Sequence, residues 1–169
     1  MTDIHFIIGS TGAGKTTYAR KLATSERALP FSIDEWMREL FAPDLAGASF
    51  AAMNQRVERA RRQMWDVAEK AHALGVASIF DTGLLTRASR AQAQEEAARR
   101  GLSARFHYVA APAATRWARV AARNAARDGG YAFEVTRPMF DFIETIWQAP
   151  DSEERAAPGF TLVGSESAA

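Results

Sequence analysis

Short apolar runs alternate with helical periodicities along the chain. Ile4-His5-Phe6-Ile7-Ile8 reads as a strand, and from Lys15 onward Tyr18, Ala19, Leu22 and Ala23 recur at helical spacing. Leu29-Pro30-Phe31-Ser32-Ile33 reads as a second strand. Trp36, Met37, Leu40 and Phe41 then mark a short amphipathic helix that Pro43 is expected to stop, with residues 42–49 as a loop. Ser49 caps a long helix on which Phe50, Met53, Val57, Ala60, Met64, Val67 and Ala71 repeat, and Gly75 ends it. Residues 76–81 form a third strand. Residues 86–100 form a helix with Glu95–Arg99 and Glu96–Arg100 as i,i+4 pairs. Residues 105–110 form a fourth strand. Pro112 opens a helix towards Arg127, which Gly129-Gly130 breaks. Pro138 opens a last helix with Met139, Phe142, Ile143 and Ile146 expected inside. Residues 160–163 read as a fifth, short strand.

Strands alternating with helices imply an α/β fold, a parallel sheet with helices on both faces. Right-handed crossovers then bring the loops after the first three strands to one sheet edge, where ligands bind. At 169 residues the chain is expected to form a single domain over residues 1–164, with residues 165–169 a frayed tail. A net charge of +1 argues against a dedicated nucleic-acid binder. With no cysteine there is no disulfide, thiolate zinc site or catalytic thiol. His5, His72 and His107 are scattered and read as structural. No apolar run approaches membrane-spanning length, and a strand starting at Ile4 is expected to leave no room for a signal peptide. A cytoplasmic protein is therefore expected.

The chemistry begins at Gly9-Ser10-Thr11-Gly12-Ala13-Gly14-Lys15-Thr16, followed by Thr17, an unbroken G-x-x-x-x-G-K-[ST] phosphate-binding loop between strand and helix. Its glycines let successive N–H groups converge on an anion at a helix N-terminus. Lys15 supplies charge for the outer phosphates, and the Thr16 hydroxyl can ligate Mg²⁺. Asp34 follows the second strand. It can act as general base on an acceptor hydroxyl or simply cap the helix after it. Asp81 ends an apolar strand in the Walker B manner, as a carboxylate for Mg²⁺, and Thr82-Gly83 makes a tight turn behind it.

Arg116, Arg119, Arg123 and Arg127 make one stripe on a helix. It reads either as a solvated face or as a source of a catalytic arginine delivered by a hinged lid, with Arg123 and Arg127 favoured. Arg56, Arg59, Arg61 and Arg62, mixed with Glu58 and Asp66, read as a solvated face of the long helix. Trp36, Arg38, Arg87 and Arg90 are the candidate contacts for an acceptor. Trp36 can stack on it beside Asp34, or else is a core aromatic.

On these residues the chain resembles a family of small P-loop kinase-like ATPases. The kinase domain of bacterial polynucleotide kinases, chloramphenicol phosphotransferase and the zeta toxins are relatives. The resemblance implies a P-loop NTPase fold, a five-stranded parallel sheet with a helical lid at about residues 116–137. It places the general base on Asp34, the metal-site hydroxyl on Thr16 and the lid arginines on Arg123 and Arg127. Polynucleotide kinases tend to carry an arginine three residues after the base; here that position is Met37, followed by Arg38. ATP and Mg²⁺ are thus the expected ligands, and a small-molecule hydroxyl the expected acceptor. A 5′-hydroxyl of RNA or DNA is the first alternative, and a regulatory switch that hydrolyses ATP slowly is the second.

A working loop carries a direct consequence. Mg·ATP at 100 times its Kd should stabilise the fold by about 2.7 kcal/mol, a melting shift of roughly 5–11 °C at this size. In a thermal melt, Lys15→Ala should lose most of that shift while its ligand-free melting point stays put.

Overall fold

The computed structural model describes residues 3–45, 49–126 and 134–164. Residues 127–133, with Arg127 and the Gly129-Gly130 break of the expected lid, lie outside the described residues, as does the expected tail 165–169. Five strands and seven helices follow one another among the described residues. They are β1 (Asp3–Ile8), α1 (Lys15–Glu26), β2 (Leu29–Ser32), α2 (Ile33–Leu45), α3 (Phe50–Ala73) and β3 (Ser78–Asp81). Then come α4 (Arg87–Arg99), β4 (Ser103–Ala110), α5 (Ala113–Ala126), α6 (Arg137–Ile146), α7 (Ser152–Ala156) and β5 (Phe160–Gly164). No helix among them is long and apolar enough to cross a membrane.

The sheet runs β2-β3-β1-β4-β5, with every pair parallel. This order sets β1 at the centre, so the loop leaving Ile8 lies beside the end of β3. Ser32 pairs with Asp81 in register, so Asp34 emerges next to Asp81 on the same sheet edge.

Alternation along the strands divides the core. Ile4, Phe6 and Ile8 face one side with Phe31, Phe80, Tyr108 and Ala110. Phe6 packs on Trp65, Phe80 and Phe106 at ring separations of 5.8, 5.7 and 5.0 Å. Small residues at Ala60, Ala68, Ala93 and Ala97 let α3 and α4 approach this face closely. Ile7, Ile79 and Val109 face the other side, covered by Ala19, Leu22 and Ala23 of α1.

Three local expectations are corrected. Helix α2 continues past Pro43 to Leu45. The proline removes one backbone donor, and the packing of Trp36 and Phe41 with Met53 and Val57 against the core outweighs that loss. On α6 the buried aromatic is Phe140, packed on Trp117 of α5, while Met139 and Phe142 are 43% and 63% exposed. The last helix is the short α7, held by a reciprocal cap between Asp151 and Glu154. On α4, Glu96 pairs with both Arg99 and Arg100, and the latter contact is 2.5 Å.

Behind α1 the three groups Tyr18, His107 and His5 form a chain. Tyr18 Oη lies 2.9 Å from His107 Nδ1, and His107 Nε2 lies 2.9 Å from His5 Nδ1. With Tyr18 donating to Nδ1, a neutral His107 donates onward from Nε2. A second proton on His107 would cancel the bond from Tyr18. Burial, then the neighbouring His5 and Arg105, pull the His107 pKa down from 6.5 to about 4. Between those values the unfolded chain holds a proton that the folded one rejects, so stability is complete above 6.5 and falls as pH drops towards 4. Urea unfolding should lose about 2 kcal/mol on going from about pH 7.5 to about pH 5 through this group. His107→Gln should flatten that dependence.

Candidate active site

The loop after β1 closes tightly because its glycines allow it. Gly12 has φ +78°, and a Cβ there would stand 2.4 Å from the Arg116 carbonyl oxygen of α5. Gly14 takes φ +100° as the N-cap of α1, a left-handed conformation that side chains rarely adopt. Lys15 folds back over the loop and donates to the Ser10 carbonyl at 3.2 Å.

Arginines of α5 hold this loop from outside. Buried Arg116 donates to the carbonyls of Ala111 (2.9 Å) and Thr11 (3.3 Å). It also forms a two-pronged ion pair with Glu144 of α6, at 2.8 and 2.6 Å. Ser10 Oγ donates to the same carboxylate at 2.5 Å. The Arg116 and Ser10 bonds hold the Glu144 carboxyl below its usual range. Arg119 donates to the Ala13 carbonyl at 3.1 Å. Asn124 binds Val135 at both its amide ends, at 2.9 and 3.3 Å, fastening the start of the return segment to the end of α5.

Thr16 Oγ1 donates to Asp81 Oδ2 at 2.8 Å, joining the start of α1 to the end of β3. This hydroxyl and carboxylate are an all-oxygen pair of the kind Mg²⁺ prefers. Among the described residues no three His, Cys, Asp or Glu side chains gather around a metal. That fits an ion held by one carboxylate, a hydroxyl, water and phosphate oxygens. The turn beyond Asp81 is fixed by Arg61 of α3, whose guanidinium donates to the Thr82 carbonyl at 3.1 Å. Arg61 was expected on a solvated face; instead its Nε is buried without a hydrogen-bond partner and its head pins this turn.

Asp34 does not cap α2. The capping bond comes from Ser32, whose Oγ accepts from the Glu35 N–H at 3.3 Å. Asp34 lines the cleft together with Lys15 and Arg123, whose charges act on its carboxyl. Surrounding protein thins the water around it, and this desolvation is the main cause of its raised pKa. The Asp81 charge raises it further, while Lys15 and Arg123 pull against both. Arg123 lines the cleft, and its Nε is buried with no hydrogen-bond partner among the described residues.

These residues border one cavity of about 830 Å³, which also takes in Thr17, Arg20, Glu35, Arg38 and Gly83. Three candidate acceptor contacts lie elsewhere. Trp36 packs on Phe31 at the core, with ring centroids 5.9 Å apart. Arg87 pairs with Asp151 and Glu153, both at 2.5 Å. Arg90, 2% exposed, grips Glu154 at 2.6 and 2.9 Å and the Gln148 carbonyl at 2.9 Å. Both arginines thus fasten the segment around α7 onto α4, and their assignment to the acceptor is corrected. Arg38 remains in the cleft, beside its partner Glu39.

Residues 4–143 match the family described as an AAA domain. The chain belongs to that family. The AAA domain covers the phosphate loop, Asp34, Asp81 and all of α5. No curated protein sequence matches the chain. Among solved structures it is similar to a sugar kinase from Janibacter sp. HTCC2649, with 17% identity, TM-score 0.64, and 96% of this chain and 85% of that one covered. It is also similar to Chaetomium thermophilum Kti12 in complex with ADP-AlF3, with 17% identity, TM-score 0.71, and coverage of 95% and 88%. A third is the Mycobacterium tuberculosis APS kinase in complex with AMPPNP and APS, with 18% identity, TM-score 0.60, and coverage of 98% and 90%. At such identities these likenesses establish a shared P-loop fold.

Glu144 had no sequence signal, yet it is the counter-charge that makes buried Arg116 tolerable. Removing one member of such a pair leaves the other charge buried alone. Glu144→Ala should cost about 3 kcal/mol in urea unfolding. Glu144→Gln, which can still accept from Ser10 and Arg116, should cost clearly less.

Proposed function

We propose that this protein is an ATP- and Mg²⁺-dependent phosphotransferase that moves the γ-phosphoryl group to a hydroxyl of a small molecule. The observation that carries the reading is Asp34. It faces Lys15 and Arg123 across the phosphate-loop cavity, with the capping duty taken by Ser32. A carboxylate placed there can orient an acceptor hydroxyl and take its proton. The names of two structural neighbours, a sugar kinase and an APS kinase, support the same class of chemistry.

On this reading the loop N–H groups and Lys15 hold the phosphates. Thr16 and Asp81 would hold Mg²⁺, which would supply positive charge against the phosphate oxygens. Asp34 orients the acceptor hydroxyl and takes its proton as the oxygen bonds to the γ-phosphorus. The bond from that phosphorus to the β-bridging oxygen breaks, and ADP leaves. Arg123 stabilises charge on the transferring group, and its buried, unpartnered Nε is a donor suited to a phosphate oxygen. The Arg127 of the sequence reading would join it from the adjoining segment. The same cleft chemistry applies to a 5′-hydroxyl of nucleic acid, but Met37 is buried where an arginine would grip a backbone phosphate. Cytoplasmic residence goes with an ATP-dependent enzyme.

Asp34 works only when ionised, and its pKa stands above the ordinary carboxylate range. The pH–rate profile should therefore rise with pH through a limb displaced upward from that range. Asp34→Asn should lower kcat at least about tenfold to hundredfold and leave ATP affinity near normal. By removing a charge that desolvation and Asp81 both disfavour, it should also hold or raise the melting temperature. Full transfer by Asp34→Asn would remove the base from this mechanism.

A further inference from the structure

The geometry points to an acceptor whose hydroxyl sits on an apolar skeleton, an aromatic or branched aliphatic alcohol, bound against the stripe Met139–Phe142–Ile143 of α6. This rests on the kinase reading and names its substrate class. Phe140 and Glu144 turn one face of α6 to Trp117 and Arg116, which commits that face to the core and the phosphate loop. Met139, Phe142 and Ile143 are thereby set on a neighbouring stripe, and all three line the cavity that holds Asp34. Two of them rank among the most exposed large apolar side chains described. Leu85 and Pro138 extend the same wall.

The position of the wall identifies what lies against it. The segment after α6 is tied to the turn beyond β3, where Gln148 N–H donates to the Leu85 carbonyl at 2.9 Å and Gln148 Oε1 accepts from the Arg87 N–H at 2.9 Å. The apolar stripe therefore stands on the β3 side of the phosphate loop, the side where Asp34 emerges, and borders the space that a reacting hydroxyl must occupy. The polar part of the lining includes Arg20, Glu35 and Arg38. A polyol would leave the α6 side of its hydroxyls without partners, since Met139, Phe142 and Ile143 offer none. A hydrocarbon flank beside the reacting hydroxyl removes apolar surface from water on both partners.

The test uses the purified full chain with γ-labelled ATP. Aromatic and branched aliphatic alcohols are compared with sugars and polyols of matched size, and transfer is followed as phosphate monoester. Apolar alcohols should be phosphorylated with kcat/KM at least tenfold above the polyols. Phe142→Ser and Met139→Ser change side chains already exposed, so folding should survive. Each should raise acceptor KM by about tenfold or more while ATP KM stays within twofold. Preference for polyols would overturn this inference and leave the kinase reading standing. Transfer to apolar alcohols with acceptor KM unmoved in both variants would also overturn it. So would a change confined to sedimentation, which would make the stripe a contact between copies of the chain. Absence of transfer to either class, with Lys15-dependent ATP binding intact, would remove the kinase reading itself.

Discussion

One buried ion pair holds the working parts of this molecule in register. Arg116 and Glu144 join α5 to α6, and through Thr11 and Ser10 they join both helices to the phosphate loop. A charge pair removed from water gains little net stability, because desolvation offsets most of its attraction. What it supplies is geometry. Gly12 can lie against the Arg116 carbonyl only if α5 stays at that distance, and α5 stays there partly because its arginine is anchored across the loop. The same anchor fixes the rotation of α6. With Phe140 and Glu144 turned inward, Met139 and Phe142 stay exposed and line the cleft.

The chemistry that sequence reveals most readily is local. Residues 9–16 carry a spacing whose every fixed position has a physical use, and the structure builds the expected loop around them. Asp81 and Asp34 follow strands in sequence, and parallel order then brings their ends together. The strands were legible because their apolar runs are short and sharply bounded. Ser49 announced a helix start that the structure forms with a capping bond.

What stayed hidden is whatever depends on a partner far along the chain. Arg87 and Arg90 looked like site residues because they follow the Asp81 turn. Their carboxylate partners lie some sixty residues away, in a short helix with no strong periodic signal. Arg61 looked solvated because its neighbours are charged, and only packing of α3 over the sheet puts it within reach of the Thr82 carbonyl. The apolar stripe of α6 was read as core for a related reason. Periodicity tells which residues share a face; it does not tell whether that face meets protein or ligand. Trp36 was open in the other direction, and its packing on Phe31 settles it as a core aromatic.

The charges of the cleft show why its base and its arginine belong together. Asp81 ends β3 and Asp34 lies just past β2, and the like charge of Asp81 makes ionisation of Asp34 harder. Desolvation raises Asp34 further, in the direction that makes it a stronger base but a scarcer anion. A bound triphosphate would push the same way. The opposing charges are Lys15 and Arg123, the two groups that lower the Asp34 pKa. On the kinase reading these cations do two tasks with one field. They keep Asp34 ionised until an acceptor hydroxyl arrives, and they favour the phosphoryl group as its charge spreads. Such an arrangement cannot be optimal for the empty protein. Arg123 keeps a buried donor without a partner, and a donor left unpaired in low dielectric carries a cost that a phosphate oxygen would relieve.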